Sequence, residues 1–422
     1  MNRKAVFGWC FYDWANSAYP TLISTFVFAT YFTQGIAETP EVGTTQWGYA
    51  TSLAALIIAV LAPVLGAISD RVGRRKPWLL ILTLIGAASS IGLWWATPEP
   101  SSVTLALVFV IIGTVCFELG MVFYNAMLPE ITNESHVGRV SGWGWGLGYL
   151  GGLSALAISL VLFIQPDPSP FGLDRGAVEH VRIIPVLVGV WMVVFAIPLF
   201  LFVPSQPASP IGMGQAVRDG LATLWRTLRH LGQYREVLKF LVARMLYIDG
   251  LNTLFAFGGI FAAAAFGMDS EQVLLFGISL NVSSGIGAFA FSFLDDRWGP
   301  KPVIAVSVAG IALFGGAMLL TDDIRVFWLL GLGIGLFLGP AQSASRSMMA
   351  RIAPAELRAE FFGLYAFSGK ATAFVGPALL ATAVDATGSQ HWGMATIFPF
   401  LIAGLLLLAF VRNPRKGGPA TV

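Results

Sequence analysis

Charge is what this chain has least of. Only 11% of its 422 residues are Asp, Glu, Lys or Arg, against about a quarter in soluble proteins, and the mean hydropathy is +0.74. No soluble domain of ordinary size fits between the apolar segments, so the chain reads as an integral membrane protein with no nucleic-acid partner. Cysteine and histidine are scarce as well. Cys10 and Cys116 both lie in apolar runs, which reads as packed, reduced thiols and argues against a disulfide or a zinc cluster. His136, His180, His230 and His391 fall in loops or near span ends, so a buried histidine relay is not expected, and neither is a metal or cofactor site. The first apolar run follows Arg3 and Lys4, lacks a small-residue cleavage site and contains Asp13; it reads as a retained span and not as a signal peptide.

A helix needs about 20 mostly apolar residues to cross the hydrocarbon core. That rule predicts twelve spans, near 5–36, 46–69, 78–97, 102–128, 140–164, 183–203, 237–266, 272–294, 302–320, 326–349, 360–384 and 393–411. The longest polar interruption runs from Ser205 to Glu236. The expected organisation is therefore a six-helix bundle over 1–204, a linker over 205–236 and a second six-helix bundle over 237–422. Basic residues crowd the termini and the even-numbered connections, among them Arg3, Lys4, Arg71, Arg74, Arg75, Lys76, Arg139, Arg297, Lys301, Arg346, Arg351, Arg412, Arg415 and Lys416. The odd-numbered connections hold only Arg175, Arg182 and Arg325. This bias predicts cytoplasmic termini. In the linker, Val217, Leu221, Leu224, Leu228 and Leu231 recur at helical spacing among Arg218, Arg226, Arg229 and Arg235, the pattern of a basic amphipathic helix lying flat in the lipid interface; the alternative is a solvated connector with no fixed place.

Ionisable residues inside membrane spans are costly and mark pathways or paired sites. Asp13, Asn16 and Ser17 stand at i, i+3 and i+4, which places them on one helix face. The same spacing of acid, amide and hydroxyl returns at Asp249, Asn252 and Thr253, so the chain holds two related halves. The remaining intramembrane charges are Glu118, Arg244 and Lys370; Asn125 lies two turns along from Glu118, and Gln342 and Ser345 offer neutral partners in the tenth span. These groups either form a substrate cavity or pair structurally, as Asp249 with Arg244 or Glu118 with Lys370.

The loop after the second span reads Gly66-Ala67-Ile68-Ser69-Asp70-Arg71-Val72-Gly73-Arg74-Arg75-Lys76, and a shortened copy, Asp295-Asp296-Arg297-Trp298-Gly299-Pro300-Lys301, follows the eighth. Asp70 ends a helix whose C-terminus is already partly negative, so it needs a compensating partner, either Arg71 or the positive N-terminus of a neighbouring helix. Gly73 and Gly299 suit tight turns. The loop resembles the signature of the major facilitator superfamily. That resemblance implies an all-α fold of twelve transmembrane helices in two pseudo-symmetric six-helix bundles. It also implies a central cavity lined by spans 1, 4, 7 and 10, with span 11 adjoining, and a cytoplasmic gate at Asp70, Arg71, Gly73, Arg74, Asp296 and Arg297. The alternative is a basic loop that fixes topology and nothing more.

A tighter resemblance rests on Tyr12-Asp13-Trp14-Ala15-Asn16-Ser17, Tyr124-Asn125-Ala126-Met127-Leu128-Pro129, Tyr247-x-Asp249-Gly250-x-Asn252-Thr253, Gln342-Ser343-x-Ser345-Arg346 and Phe361-Phe362-Gly363-Leu364-Tyr365. Together these look like the vacuolar amino-acid effluxer branch. The branch implies secondary active transport of a small polar solute, an amino acid or similar zwitterion, by alternating access in a monomer among membrane lipids. The expected cavity residues are Asp13, Asn16, Ser17, Glu118, Asn125, Arg244, Asp249, Asn252, Gln342 and Lys370. Acids in such a cavity can take up protons when loss of water disfavours their charged form, so proton coupling is expected. The chain lacks the long soluble insertions of the eukaryotic members, which points to a bacterial inner membrane. Two competing classes are a transporter-shaped receptor without flux and an intramembrane aspartyl protease. The protease would need a Gly-x-Gly-Asp setting, and Asp249 follows Tyr247-Ile248.

Overall fold

The computed structural model describes residues 2–207 and 209–414. Arg415 and Lys416, counted above with the basic terminal residues, lie outside them, as does the end of the expected second bundle. Among the described residues all regular structure is helical. Eleven helices among the described residues are long and apolar enough to cross a membrane. Spans 2 to 6 are Pro40–Val72, Lys76–Trp95, Pro100–Ile131, Glu134–Ile164 and Glu179–Phe202; spans 7 to 12 are Leu231–Phe266, Glu271–Trp298, Pro300–Met318, Ile324–Ile352, Ala355–Thr387 and Gln390–Ala409.

The first span completes the twelve as a broken helix, Arg3–Asn16, Tyr19–Phe26, Phe28–Tyr31 and Phe32–Ile36. Pro20 has no N–H to give to the preceding turn, and the Ser17 and Thr21 hydroxyls bond back to the carbonyls of Asp13 and Ser17. The helix widens to a π-helical turn there, as helices do where the ladder is disturbed. Span 11 is broken too, into Arg358–Lys370 and Val375–Thr387, with Pro377 in the first turn of the outer piece.

Helix packing repeats six spans later. Spans 1 and 6, 1 and 5, 2 and 4, 3 and 4, and 3 and 6 pack together, and so do 7 and 12, 7 and 11, 8 and 10, 9 and 10, and 9 and 12. The C-terminal carbonyls follow the same rule. Lys76 Nζ, at the start of span 3, donates to the carbonyls of Phe200 and Val203 at the end of span 6. Lys301 Nζ, at the start of span 9, donates to the carbonyl of Ala409 at the end of span 12. Between the halves, span 2 lies on span 11 and span 5 on span 8.

Small residues make that approach possible. A Cβ at Gly66 would collide with the Ala359 carbonyl, and one at Gly363 with the Ala62 carbonyl. The ridge Gly144, Gly148 and Gly152 of span 5 receives Asp13, Ser17 and Thr21 of span 1, and the ridge Gly331, Gly335 and Gly339 of span 10 receives span 8. In lipid, where apolar surface gives helices no drive to associate, close packing of this kind supplies the attraction. The linker forms a helix, Met213–Arg229, which buries Ala216, Gly220, Thr223, Leu224 and Thr227 and leaves Leu221 and Leu228 exposed. Its inward face is thus the small-residue side, and only Leu224 of its apolar stripe is buried.

Candidate functional site

A cavity of about 550 Å3 lies between the halves. Its walls come from the middle of spans 1, 4 and 5, from residues 252–261 of span 7 and from the ends of spans 8, 9, 10 and 12 remote from the termini. Of the ten residues expected there, Asp13, Asn16, Ser17, Glu118, Asn252 and Gln342 line it. Trp145, Tyr149 and Asn281 add polar groups that sequence reasoning passed over, while Phe26, Phe117, Phe255, Phe261, Phe276 and Phe327 make the rest largely aromatic. Gln342 Nε2 donates to the Tyr149 hydroxyl across the halves at 3.2 Å.

Asn125, Arg244, Asp249 and Lys370 do not line the cavity, which corrects the expected set. Arg244 and Asp249 do not pair with each other either. Arg244 donates to the Tyr365 carbonyl and to Ser368 Oγ, both at 2.8 Å, near the C-terminal end of the inner piece of span 11. Asp249 Oδ2 accepts from the Gly376 N–H at 3.2 Å, in the first turn of the outer piece. A cation at a helix C-terminus and an anion at an N-terminus are the favourable arrangement for the helix dipole. Span 7 therefore clamps the break in span 11 from both sides, and this is why two ionisable residues leave the cavity for a structural seat. Lys370 reaches the cavity wall indirectly, through an ion pair with Glu118 at 2.6 Å.

The terminal side of the cavity is shut. Arg346 of span 10 is buried beneath it and donates to Asp13 Oδ2 at 3.0 Å, to Asn125 Oδ1 at 3.4 Å, and to the hydroxyl and carbonyl of Ser141. The rings of Trp9, Tyr124 and Trp145 surround its guanidinium at 4.8, 5.6 and 5.6 Å. Ser141 Oγ in turn donates to the Ser343 carbonyl across the halves. Breaking such a buried pair by removing one partner costs about 3–5 kcal/mol. The Glu118–Lys370 pair differs: its side chains are 23% and 29% exposed, and ion pairs open to water are worth only about 0–1 kcal/mol.

Beyond Arg346 two latches repeat the pseudo-symmetry. Asp70 accepts from the backbone N–H groups of Ala359 and Glu360, at the start of the inner piece of span 11. Asp296 accepts from the backbone N–H of Arg139, in the first turn of the α-helix Val137–Ser159 of span 5, and pairs with its side chain at 3.2 Å. Of the two partners expected for Asp70, the helix N-terminus is present and Arg71 is not. Arg75 binds Asp70 at 2.7 Å and also pairs with Glu130, whereas Arg71 turns to Thr223 of the linker. Gly73 and Gly299 both have positive φ, 78° and 89°, the left-handed backbone that glycine adopts without strain. Arg74 and Arg297 are exposed, and among the described residues neither makes a hydrogen bond or ion pair, so they take no part in the latches. Asp295, bonded to Ser347 and Arg351, belongs to the second latch instead.

Two pseudo-symmetric halves, shut on the terminal side and holding a partly polar cavity on the other, define a transporter of the major facilitator class and not an enzyme. Solved structures agree on the fold. A proton:xylose symporter bound to 6-bromo-6-deoxy-D-glucose superposes with a TM-score of 0.74 at 15% identity, over 99% of this chain and 96% of that one. A major facilitator transporter, FucP, in the outward conformation also gives 0.74 at 15% identity, over 98% and 99%. The chain belongs to the Atg22-like vacuole effluxer family, whose sequence model it matches over residues 44–419. An MFS-type transporter of Bacillus subtilis (strain 168) is 26% identical over 412 residues, 96% of this chain and 94% of the relative. Autophagy-related protein 22-2 of Emericella nidulans is 24% identical over 460 residues, 87% and 76%.

Proposed function

We propose that this transporter is a secondary carrier of amino acids or similar zwitterions, working by alternating access and coupled to protons. The observation that carries the reading is the Glu118–Lys370 pair. It joins spans 4 and 11 at the cavity wall, is about a quarter exposed, and has no other hydrogen-bonding partner on either side chain among the described residues. A zwitterion can take the place of each partner for the other, its ammonium on Glu118 and its carboxylate on Lys370, at little cost to the fold. Asp13 supports the proton reading, because it lines the cavity and anchors Arg346 beneath it. A proton reaching Asp13 from the cavity would weaken the bond that holds the two halves together on the terminal side.

In this reading residues 1–204 and 237–422 move as two bodies in a monomer. The crowding of basic residues at the termini supports a cytoplasmic terminal side, and the Bacillus relative supports a bacterial inner membrane, with efflux as the direction. Purified protein should be screened by thermal shift against amino acids, dipeptides, sugars and nucleosides, and the stabilising solute followed in proteoliposomes under an imposed pH gradient. Stabilisation by amino acids and pH-driven flux are expected. Stabilisation by sugars or nucleosides alone refutes the zwitterion, and flux indifferent to the gradient refutes proton coupling.

A further inference from the structure

The linker helix Met213–Arg229 divides into three strips. At about 100° per residue, the buried Ala216, Gly220, Thr223, Leu224 and Thr227 cover one face. Leu221, Trp225 and Leu228 lie roughly a quarter turn or more beyond it and are 44%, 58% and 40% exposed. Arg218, Arg226 and Arg229 are exposed on the far side, with Arg229 stacked over the Trp225 ring at 4.8 Å. A helix of this kind lies in the plane of a membrane surface, apolar strip in the acyl boundary and cations at headgroup level.

The inward strip does more than attach the helix. Gly220 fits against Ala67 and Ile68 of span 2 so closely that a Cβ would press on their backbone, and Arg71 bonds Thr223. The turn of span 2 so held is the one whose Gly66 and Asp70 close on span 11. The sequence between Met213 and Arg229 carries three arginines and one aspartate, Asp219, and Arg74 is exposed on the same side of the molecule. Its partner is therefore anionic.

We propose that the linker helix docks on anionic phospholipid headgroups and that this docking strengthens the closure of span 2 on span 11. Lipid composition then sets how readily the terminal side opens, independently of which solute is carried. Each arginine near an anionic surface adds about fivefold to binding, and the effect is confined to within a Debye length.

The test is hydrogen–deuterium exchange on the full-length protein in nanodiscs of phosphatidylcholine alone and of phosphatidylcholine mixed with phosphatidylglycerol. It compares wild type with the R218Q/R226Q/R229Q variant. In wild type, phosphatidylglycerol should slow exchange at least about tenfold in residues 213–229 and also in 66–71 and 358–363, less so at high salt. The variant should lose both effects while keeping its helix content and its thermal midpoint in phosphatidylcholine. An equal lipid effect in the variant overturns the proposal. So does protection of 213–229 without protection of 358–363, or protection that appears only on adding a soluble acidic protein.

Discussion

At Arg346 one guanidinium gathers Asp13, Asn125 and Ser141 and fills a cage of three aromatic rings. Arg346→Met leaves Asp13 buried and unpaired, and should cost about 3–5 kcal/mol, read as a lower thermal-unfolding midpoint of the purified protein. Arg346→Lys should rescue little of it, since an ammonium has no planar fork to serve several acceptors and stack at once. The double variant Glu118→Gln with Lys370→Met should behave oppositely. Its midpoint should move by under about 1 kcal/mol, while zwitterion binding by thermal shift is lost. Retained binding would remove the pair from the substrate site. Asp13 was legible from sequence because an acid inside an apolar run has few innocent explanations. Arg346 was not: it fell among basic residues near a predicted span end, where topology alone accounts for arginine. The helix continues to Ile352, and Gln342, four residues earlier on the same face, was the available clue.

Spans 2 and 11 meet through glycine, so the closure should be sensitive to a single methyl group. Gly363→Ala places one against the Ala62 carbonyl and the Pro63 Cα, and such overpacking costs about 1–3 kcal/mol. Cys10, buried against the Val140 carbonyl of span 5 on the terminal side of Asp13, can report the result in a Cys116→Ser background. Gly363→Ala should speed its reaction with a water-soluble maleimide, and an unchanged rate would mean that this contact does not hold the terminal side shut. The elements themselves were largely readable, because an apolar run long enough to cross a bilayer has no other stable place. Their interruptions were not. Pro20 and Pro377 marked the two broken spans, but the π-helical turn after Asn16 and the clamp of Arg244 and Asp249 across the break in span 11 depend on which helix packs alongside, and residue type carries no trace of that. Those two residues of span 7 accordingly hold span 11 in place and do not line the cavity.

Over the whole molecule, the duplicated loop foretold the symmetry well. Asp70 caps the start of span 11, and Asp296 caps the start of span 5. The copies differ in the partners that reinforce them, Arg75 and Glu130 in one, Arg139 and Arg351 in the other, and this asymmetry was invisible in the motif. In the alternating access we propose, the separable bonds that shut the terminal side break while the cavity side closes. A disulfide across the second latch tests that claim most directly. Arg139→Cys with Asp296→Cys replaces two residues already in contact, and its crosslinking can be verified by mass. With the disulfide formed, flux of the solute found by thermal shift should fall to background while the solute still binds, and reduction should restore flux. Undiminished flux through the crosslinked protein would contradict alternating access between the two halves.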